Sequence, residues 1–309
     1  MKIAVVCNSD ALAIPSIQFL KEQNLLAGVG IAEKSKAVLL HSLQGIGIMP
    51  DAVAVFPTDS WKESMKSWLI GLGGVDAVFV IAFPWKIPVK ILDIPINGFF
   101  NFHFGALPKY KGADPVFWHI RNMEIHGALF IHKMTADIDA GPIVLQKETN
   151  IFSGETYTMH CLRVGYEAVS TLKLLLADLE QGALTETVQL GGKSLYEKRP
   201  GTADFQIDWK QQSAREIECL VNACNQNYGG ASTSLRNREL RLLEVSPVDM
   251  GQIPEQKPGT VVHADALHGL VIACKGQQFL KINIVHMQEG YVSGTKLFSM
   301  GVGIGEQLI

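Results

Sequence analysis

Short apolar runs alternate with amphipathic stretches through the first half of the chain. The runs are rich in Val, Ile and Phe and nearly continuous in apolarity, as strands buried on both faces are. They predict strands at residues 3–7, 27–32, 52–56, 77–82, 98–103 and 128–132. Helical stretches lie between them, near residues 11–23, 34–44, 58–72 and 114–121. This βαβ series predicts an α/β fold with a doubly wound, mostly parallel, Rossmann-like sheet.

A longer amphipathic stretch follows and predicts one helix over residues 154–182. Seven of its apolar residues recur at spacings of three and four, so we expect this stripe to pack across the sheet. The stripe consists of Met159, Leu162, Tyr166, Val169, Leu172, Leu176 and Leu179.

Glycine and proline then interrupt the pattern and predict a linker over residues 191–204. The linker would separate a first domain, residues 1–190, from a second domain, residues 205–309. The second domain shows a short helical stretch at residues 213–225, followed by runs typical of strands at 239–245, 259–263, 269–273 and 279–285. Such closely spaced strands predict a small β-barrel-like (OB-like) domain or a sandwich.

Composition narrows the class of protein. The chain has 309 residues, 47% hydrophobic and 18% charged, with a net charge of −3, which is typical of a globular protein and not of a general nucleic-acid binder. Its apolar runs fall short of the roughly 20 residues of a membrane span, and no signal peptide is evident, so we expect a cytoplasmic protein without a membrane partner. The five cysteines lack metal-ligand spacing, so we predict reduced thiols and no metal.

The candidate chemistry lies at the end of the fifth predicted strand. Asn101 and His103 are two residues apart and therefore share one face of a strand. An amide donor beside an imidazole suits chemistry that develops charge on a carbonyl oxygen. The acidic segment Asp137-Ile138-Asp139-Ala140-Gly141-Pro142, about one βα unit downstream, can supply a carboxylate. The alternative interpretation is a polar patch with a hydrogen-bonded core histidine. Neither a complete dinucleotide fingerprint nor a phosphate-binding GxxxxGK[ST] loop is present.

Two blocks of sequence resemble the N10-formyltetrahydrofolate-dependent formyltransferases. The first block is Asn101-Phe102-His103 with Leu107-Pro108 and Lys111-Gly112, and the second is Asp139-Ala140-Gly141. Further likeness at Asp208-Trp209, and at residues 228–231 and 257–261, extends the resemblance over nearly the whole chain. It points to the methionyl-tRNA and amino-sugar branches of the family.

The resemblance implies a catalytic role for three residues. Asn101 would donate to the formyl oxygen of the folate, and His103 would stabilise the oxyanion or relay a proton to the departing folate nitrogen. Asp139 would orient His103 and help to remove the proton of the attacking amine. The acceptor amine is itself the nucleophile, so the protein need not supply one.

The resemblance also implies where N10-formyltetrahydrofolate, the formyl donor, would bind. The pterin would lie beside the loop after the fourth strand and beside the loop that leads to Asp139, where backbone groups would contact its edge. The implied contacts are Ala82, Phe83, Pro84, Trp85, Leu107, Thr135, Ala136 and Asp137. For Phe83 and Trp85 ordinary packing is the alternative.

Departures from the family pattern bear on the formyl acceptor. Only Ala32-Glu33-Lys34-Ser35-Lys36 stands where methionyl-tRNA formyltransferases carry a basic, glycine-rich insertion that engages tRNA. Residues 205–309 hold nine Lys/Arg and ten Asp/Glu and are close to neutral. Gly105-Ala106 replaces a Ser-Leu pair.

We therefore predict a small-molecule amine acceptor, an amino-sugar nucleotide or another biosynthetic amine. Methionyl-tRNA formylation and hydrolysis of formyl-folate are the alternatives. The hydrolases usually carry an N-terminal regulatory module, whereas here the predicted sheet starts at residue 3. A homodimer is compatible with the sequence.

Overall fold

The computed structural model describes residues 1–189, 195–225 and 227–309. The chain forms two compact units, each assembled from several segments. The first unit comprises Met1–Pro115, His126–Asn150 and Cys161–Lys198, and the second comprises Val116–Ile125, Ile151–His160 and Arg199–Ile309. Part of the predicted linker, residues 191–194, lies outside the described residues.

The strands of the first unit form one large sheet and one small one. They are β1 (Ile3–Cys7), β2 (Leu26–Ala32), β3 (Val53–Phe56), β4 (Ala77–Ile81), β5 (Phe99–His103), β6 (Tyr110–Gly112), β7 (His126–Lys133), β8 (Ile143–Asn150) and β9 (Leu195–Glu197). The large sheet has the order β3-β2-β1-β4-β5-β7-β8, with β1 to β5 parallel and β7 and β8 antiparallel. Strands β6 and β9 pair in parallel. This architecture confirms the predicted α/β fold with a mostly parallel sheet.

Helices connect these strands. They are α1 (Asp10–Glu22), α2 (Lys36–Gly45), α3 (Trp61–Gly71), α4 (Val89–Leu92), α5 (Pro115–Arg121) and α6 (Tyr157–Gln181). The hydroxyl of Ser9 caps α1 by accepting from the backbone N–H of Leu12 at 3.4 Å. Strands β1 and β4 are buried along their whole length, which explains why their apolar runs predicted them to within one residue.

The predicted inward stripe of the long helix α6 is wrong in its first half, whereas none of its last four residues is exposed. Met159, Leu162 and Tyr166 of the expected stripe are exposed, although Leu172 and Leu176 are buried. The face that packs inward in the first unit carries Cys161, Val164, Ala168, Leu172 and Leu175. Gly165 lies on that face, where a Cβ atom would overlap the carbonyl oxygen of Ala11. The backbones of α1 and α6 approach each other closely at Gly165, and any side chain there would prevent this approach.

The second unit combines an antiparallel sheet with two further helices. Its elements are α7 (Ala214–Cys224), β10 (Ala231–Leu235), β11 (Arg238–Val248), β12 (Val261–Asp265), β13 (Gly269–Cys274), β14 (Gln278–Met287), β15 (Gly290–Ser293) and α8 (Gly294–Ser299). The strand order is β10-β11-β14-β13-β12, and β15 pairs with β14. A capping box begins α7, because Ser213 and Glu216 each accept the other's backbone N–H.

The last residues of the chain join the two edge strands of this antiparallel sheet. Ile309 exchanges backbone hydrogen bonds with Ser234 of β10, at 2.8 and 2.9 Å. Leu308 donates to the carbonyl of Gly259, just before β12, at 2.8 Å. This closure satisfies edge groups that would otherwise be unpaired. It confirms the prediction of a smaller, barrel-like C-terminal domain. Across the described ranges, no helix has both the length and the apolarity that a membrane crossing requires.

Candidate functional site

The candidate site lies at the carboxyl end of β5, where Asn101 and His103 face the loop between β7 and β8. Parallel strands β1, β4 and β5 end at the same edge of the sheet, which is where open α/β sheets bind ligands. Asp139 lies in the β7–β8 loop and is 8% exposed. The structure therefore brings together the three residues for which the family resemblance implies catalytic roles.

Both oxygens of the Asp139 carboxylate are occupied. Oδ1 accepts from Nδ2 of Asn101 at 3.1 Å and lies 3.3 Å from Nε2 of His132. Oδ2 accepts the backbone N–H of Gly112 at 2.9 Å and lies 3.7 Å from Nδ1 of His103. Asp139 is thus the residue that the other polar groups of the site share.

These neighbours determine the charge of Asp139. Burial by itself raises the pKa of the carboxyl, but the nearby His103 and His132 and the Gly112 N–H together lower the pKa to about 2. Asp139 is therefore ionised at neutral pH and can only accept hydrogen bonds. For that reason the amide group of Asn101 that faces it must be the NH₂ and not the oxygen.

His103 is held by the backbone on the side away from Asp139. Its Nε2 lies 2.6 Å from the carbonyl oxygen of Tyr110, and a carbonyl only accepts, so Nε2 carries the hydrogen. Burial lowers the pKa of His103 below its ordinary value, although Asp139 and the Tyr110 carbonyl oppose this effect. The neutral ring therefore has its lone pair on Nδ1, which faces Asp139 and is the atom that can accept a proton.

His132 is a fourth polar member of the site. It stands opposite Asn101 in the antiparallel pair of β5 and β7. Its Nδ1 lies 3.2 Å from the carbonyl of Lys133, so the neutral ring carries its hydrogen there and its Nε2 accepts from Nδ2 of Asn101 at 3.1 Å. One hydrogen of the Asn101 amide then goes to Asp139 and the other to His132.

A segment that follows α6 fastens the loop that carries Asp139. The side-chain amide of Gln189 donates to the carbonyl of Asp139 at 2.9 Å and to that of Gly141 at 2.8 Å. Gly141 itself has no room for a side chain, because a Cβ atom there would overlap the carbonyl oxygen of Lys133. The backbone of the loop is thus fixed by side-chain and main-chain contacts, which favours a preorganised carboxylate.

Strand β9 holds the opposite side of the site, strand β6 and Gly112, in place. Strand β9 pairs with β6, which ends at Gly112, and the N–H of Ala113 donates to the carbonyl of Glu197 at 2.9 Å. Gly112 has a φ of +103° and contacts that carbonyl too closely to allow a Cβ atom. Its N–H is thereby aimed at Asp139.

Gly105, one of the departures from the family pattern, lies against the His103 ring. A Cβ atom at this position would be 2.8 Å from Nε2 of His103, 3.0 Å from the Tyr110 oxygen and 2.6 Å from Cβ of Pro115. In this backbone, a side chain at Gly105 would therefore force its neighbours to shift, among them the His103 ring that bonds to Tyr110.

The predicted folate contacts after β4 have mixed surroundings. Ala82 is exposed and has a φ of +54°, while Phe83, Pro84 and Trp85 are half-buried. Trp85 stacks on Trp61 with ring centroids 5.1 Å apart, and Phe83 packs edge-on against both tryptophans. The rings of Phe83 and Trp85 thus belong at least partly to the core.

The other predicted folate contacts lie on the second flank. Leu107 is buried, whereas Thr135, Ala136 and Asp137 are exposed in the loop after β7. Thr135 and Ala136 line a cleft of about 430 Å³ that also involves the connection between β4 and β5. Leu92, Phe99 and Met134 give this cleft an apolar wall, next to polar groups from Asp93, Asn97 and Lys133.

The sequence did not assign His132, Gly112 or Gln189 to the site. The position of His132 follows from the antiparallel register of β7, which a series of βαβ units does not predict. Gly112 acts through its backbone N–H, and Gln189 is 50 residues away from Asp139 in the chain. A Lys-Gly pair after the Leu-Pro turn was the one available signal for Gly112.

Comparison with known families gives two matches. Residues 48–172 match the formyl transferase model, and residues 201–301 match the model of the formyl transferase C-terminal domain. Together the two matches span well over half of the chain, and they include Asn101, His103, His132 and Asp139.

Solved structures share the fold at low sequence identity. HypX from Aquifex aeolicus, solved with tetrahydrofolic acid, aligns with a TM-score of 0.66 and 16% identity over 98% of this chain and 48% of its own. The chain thus spans about half the length of HypX. An N-formyltransferase from Helicobacter canadensis, in complex with folinic acid and dTDP-3-aminofucose, aligns with a TM-score of 0.64 and 16% identity. The alignment covers 91% of this chain and 98% of its own.

A third similar structure is WlaRD, a sugar 3N-formyl transferase solved in the presence of dTDP and 5-N-formyl-THF. It gives a TM-score of 0.64 and 18% identity over 91% of this chain and 97% of its own. These likenesses agree with the two-part fold described above. With both domain models matched in chain order, the protein belongs to the formyltransferase family.

Proposed function

We propose that the protein transfers the formyl group of N10-formyltetrahydrofolate to a primary amine of a small molecule, with Asn101, His103 and Asp139 as its catalytic residues. The observation that carries this proposal is the convergence of both β5 side chains on the ionised carboxylate of Asp139. In a member of the formyltransferase family, this arrangement provides a hydrogen-bond donor, a proton acceptor and a fixed negative charge.

The reaction makes one bond and breaks another. The amine nitrogen attacks the formyl carbon, the formyl oxygen becomes an oxyanion, and collapse of this tetrahedral intermediate breaks the bond to N10. The attacking amine loses a proton and N10 gains one. Because the two proton transfers balance, the reaction needs a group that can first accept and then donate.

Asn101 is the proposed donor to the oxyanion. A preorganised donor at this position is worth roughly 2.7–4 kcal/mol in comparable acyl transfers. Both hydrogens of the Asn101 amide already have acceptors, namely Asp139 and His132. The formyl oxygen would take the hydrogen that Nε2 of His132 otherwise accepts, while the bond to Asp139 continues to hold the amide in place.

His103 and Asp139 are the proposed proton-transfer pair. Nδ1 of neutral His103 would take the proton from the amine, and Asp139, whose Oδ2 is 3.7 Å away, would stabilise the resulting imidazolium. The imidazolium would then protonate N10. Acid–base assistance of this kind contributes about 10²–10⁴ in rate.

The folate would bind beside the two loops that flank the site. The proposed contacts are backbone groups of Ala82, Phe83, Pro84 and Trp85, together with Leu107 and the segment Thr135-Ala136-Asp137. The apolar cleft lined by Thr135 and Ala136 supports a planar, partly apolar ligand on this flank. Folate compounds in the structures of HypX and of the Helicobacter canadensis enzyme support the choice of donor.

The proposed acceptor is an amino-sugar nucleotide or a comparable small amine. Two similar structures hold dTDP or a dTDP-linked amino sugar, which supports this class. After β2 the chain enters a single turn of 3₁₀ helix, Glu33–Ser35, and then α2, so the segment offers two lysines and a glutamate in place of a basic loop for tRNA.

A panel of amines tests the proposal. The protein is incubated with N10-formyltetrahydrofolate and with dTDP-linked and UDP-linked amino sugars, simple amines, charged initiator tRNA or no acceptor, and release of tetrahydrofolate is followed. We expect release that depends on an amino-sugar nucleotide. Efficient formylation of tRNA, or release without any acceptor, would instead establish one of the two alternative activities.

A further inference from the structure

The hairpin formed by β12 and β13 brings two histidines and an aspartate together, far in sequence from the candidate catalytic residues. His263 and Asp265 are two residues apart on β12 and share a face, and Asp265 pairs with Gly269, the first residue of β13. The short turn between the two strands returns the chain so that His268 also faces Asp265. All three side chains come from six consecutive residues of the second unit.

One oxygen of Asp265 organises the turn. Oδ1 accepts the backbone N–H groups of Leu267 and His268, which is the hydrogen bonding expected of an aspartate at the start of a turn. These bonds fix the orientation of the carboxylate. They leave the other oxygen, Oδ2, without a backbone partner among the described residues.

Both imidazoles converge on that second oxygen. Nε2 of His263 lies 2.9 Å from Oδ2, and Nδ1 of His268 lies 3.0 Å from the same atom. The ring centroids are 5.9 Å apart with planes at 66°, so the rings approach from different directions and do not stack. Turn formation explains the role of Oδ1, but it does not require either histidine.

The spacing of these atoms suits a metal ion. Two ligands that each lie about 2.0–2.1 Å from one ion, at an angle of about 90–109°, are about 2.9–3.4 Å apart. The two nitrogen–oxygen separations fall at the lower end of this range, and the three ligand atoms lie within 4.8 Å of one another. An ion could therefore replace the shared hydrogen bonds with small side-chain rotations.

We propose that His263, Asp265 and His268 form a binding site for a divalent first-row transition metal such as Zn²⁺. Imidazole nitrogen with one carboxylate is a donor set that zinc, nickel and copper accept, whereas calcium and magnesium prefer oxygen ligands. All three side chains are partly exposed, so water can fill the remaining positions. Bound metal would join the end of β12 to the start of β13.

The test uses the full chain without an affinity tag, freed of metal by a chelator. Calorimetric titration with ZnCl₂ is expected to show one ion per chain, and CoCl₂ is expected to produce the visible absorption of a Co²⁺ ion with nitrogen ligands. His263→Ala and His268→Ala should each weaken Zn²⁺ binding by at least about tenfold. Asp265→Asn should also weaken it, although an asparagine retains an oxygen for the turn.

The matched control is His126→Ala, because His126 is an exposed histidine with one carboxylate neighbour, Glu148, 3.7 Å away in the first unit. It should leave Zn²⁺ binding unchanged. A second measurement needs no variant, since substoichiometric Ni²⁺ should broaden the backbone resonances of residues 263–268 before others. The proposal is overturned if the wild-type chain binds no Zn²⁺, if a variant that combines His263→Ala with His268→Ala binds it equally well, or if Ni²⁺ broadens a different region first.

Discussion

The imidazole of His103 donates through Nε2 to the backbone carbonyl of Tyr110, at a distance of 2.6 Å. This single bond determines which tautomer of the ring is present and leaves Nδ1 as its basic atom. Since Nδ1 faces Asp139, protonation of His103 would create an ion pair inside the site. The proposed mechanism depends on this arrangement.

The pH dependence of the reaction should report the burial of His103. Burial lowers its pKa below the ordinary 6.5, so the neutral, proton-accepting form predominates at pH 7. We predict that kcat/KM is flat near neutral pH and falls in acid, through an inflection below 6.5. The same inflection should appear in an NMR titration of the His103 ring.

The Asp139→Asn variant tests whether the charge of Asp139 raises the pKa of His103. Because the Asp139 charge raises the pKa of His103, its removal should move the NMR inflection of His103 to still lower pH. An inflection above 6.5 in the wild-type protein, or an upward movement in the variant, would show that the charges of the site are misassigned.

Gly105→Ala should impair catalysis without unfolding the protein. The added Cβ would lie 2.6 Å from Cβ of Pro115 and 2.8 Å from Nε2 of His103, so neighbouring groups must shift, and we expect the His103 ring to be displaced. Misplacement of a catalytic group by about 1 Å can cost about 10²-fold in kcat/KM. Gly71→Ala, in an exposed position at the end of α3 with no atom within 4 Å of the new Cβ, is the matched control and should retain full activity. Equal activity of the two variants would argue against a catalytic His103.

Gln189 should position Asp139 without contacting substrate. Gln189→Ala removes the donor to two carbonyl groups, which costs roughly 1–3 kcal/mol for each polar group left unsatisfied. Gln189→Glu should be the more damaging change, because a carboxylate cannot donate to either carbonyl and adds negative charge beside Asp139. We predict that kcat decreases from the wild-type protein to Gln189→Ala and decreases further in Gln189→Glu. The measurements are kcat and the NMR titration of His103 in each variant. A higher kcat for Gln189→Glu than for Gln189→Ala would refute the positioning role of Gln189.

The cleft beside Thr135 and Ala136 gives a prediction about folate binding. Ala136→Trp would fill part of the cleft, so KM for N10-formyltetrahydrofolate should rise by about tenfold or more, equivalent to about 1.4 kcal/mol. Because Asp139 and its contacts are untouched, kcat should change little. Ala37→Trp, on an exposed face of α2, controls for an added surface tryptophan. An unchanged KM for Ala136→Trp would place the folate elsewhere.

Sequence patterns predicted the parts of the fold that are governed by burial. Strand β1 was predicted with its observed bounds because all five of its side chains are buried. The inward face of α6 was mispredicted because the helix carries apolar residues on more than one face. The choice between those faces depends on Gly165, whose role is visible only once α1 is packed against it.

The same distinction applies to the candidate site. Asn101, His103 and Asp139 could be proposed from the sequence because their side chains suit formyl transfer and their spacing resembles that of a known family. The groups that orient them were not identifiable, since Tyr110 and Gly112 act through backbone atoms and His132 depends on an antiparallel register. Backbone groups and strand register leave no pattern of residue types in a sequence.

Transfer of a labelled formyl group to a sugar amine would demonstrate the proposed activity itself. N10-[¹³C]formyltetrahydrofolate is incubated with a dTDP-linked amino sugar and either the wild-type protein or Asp139→Asn, and the sugar nucleotide is analysed by mass spectrometry. We predict a ¹³C-formylated sugar with the wild-type protein and a rate about 10²–10⁴ lower for the variant, whose folding should be unchanged. An unlabelled sugar, or equal rates for the two proteins, would contradict the account.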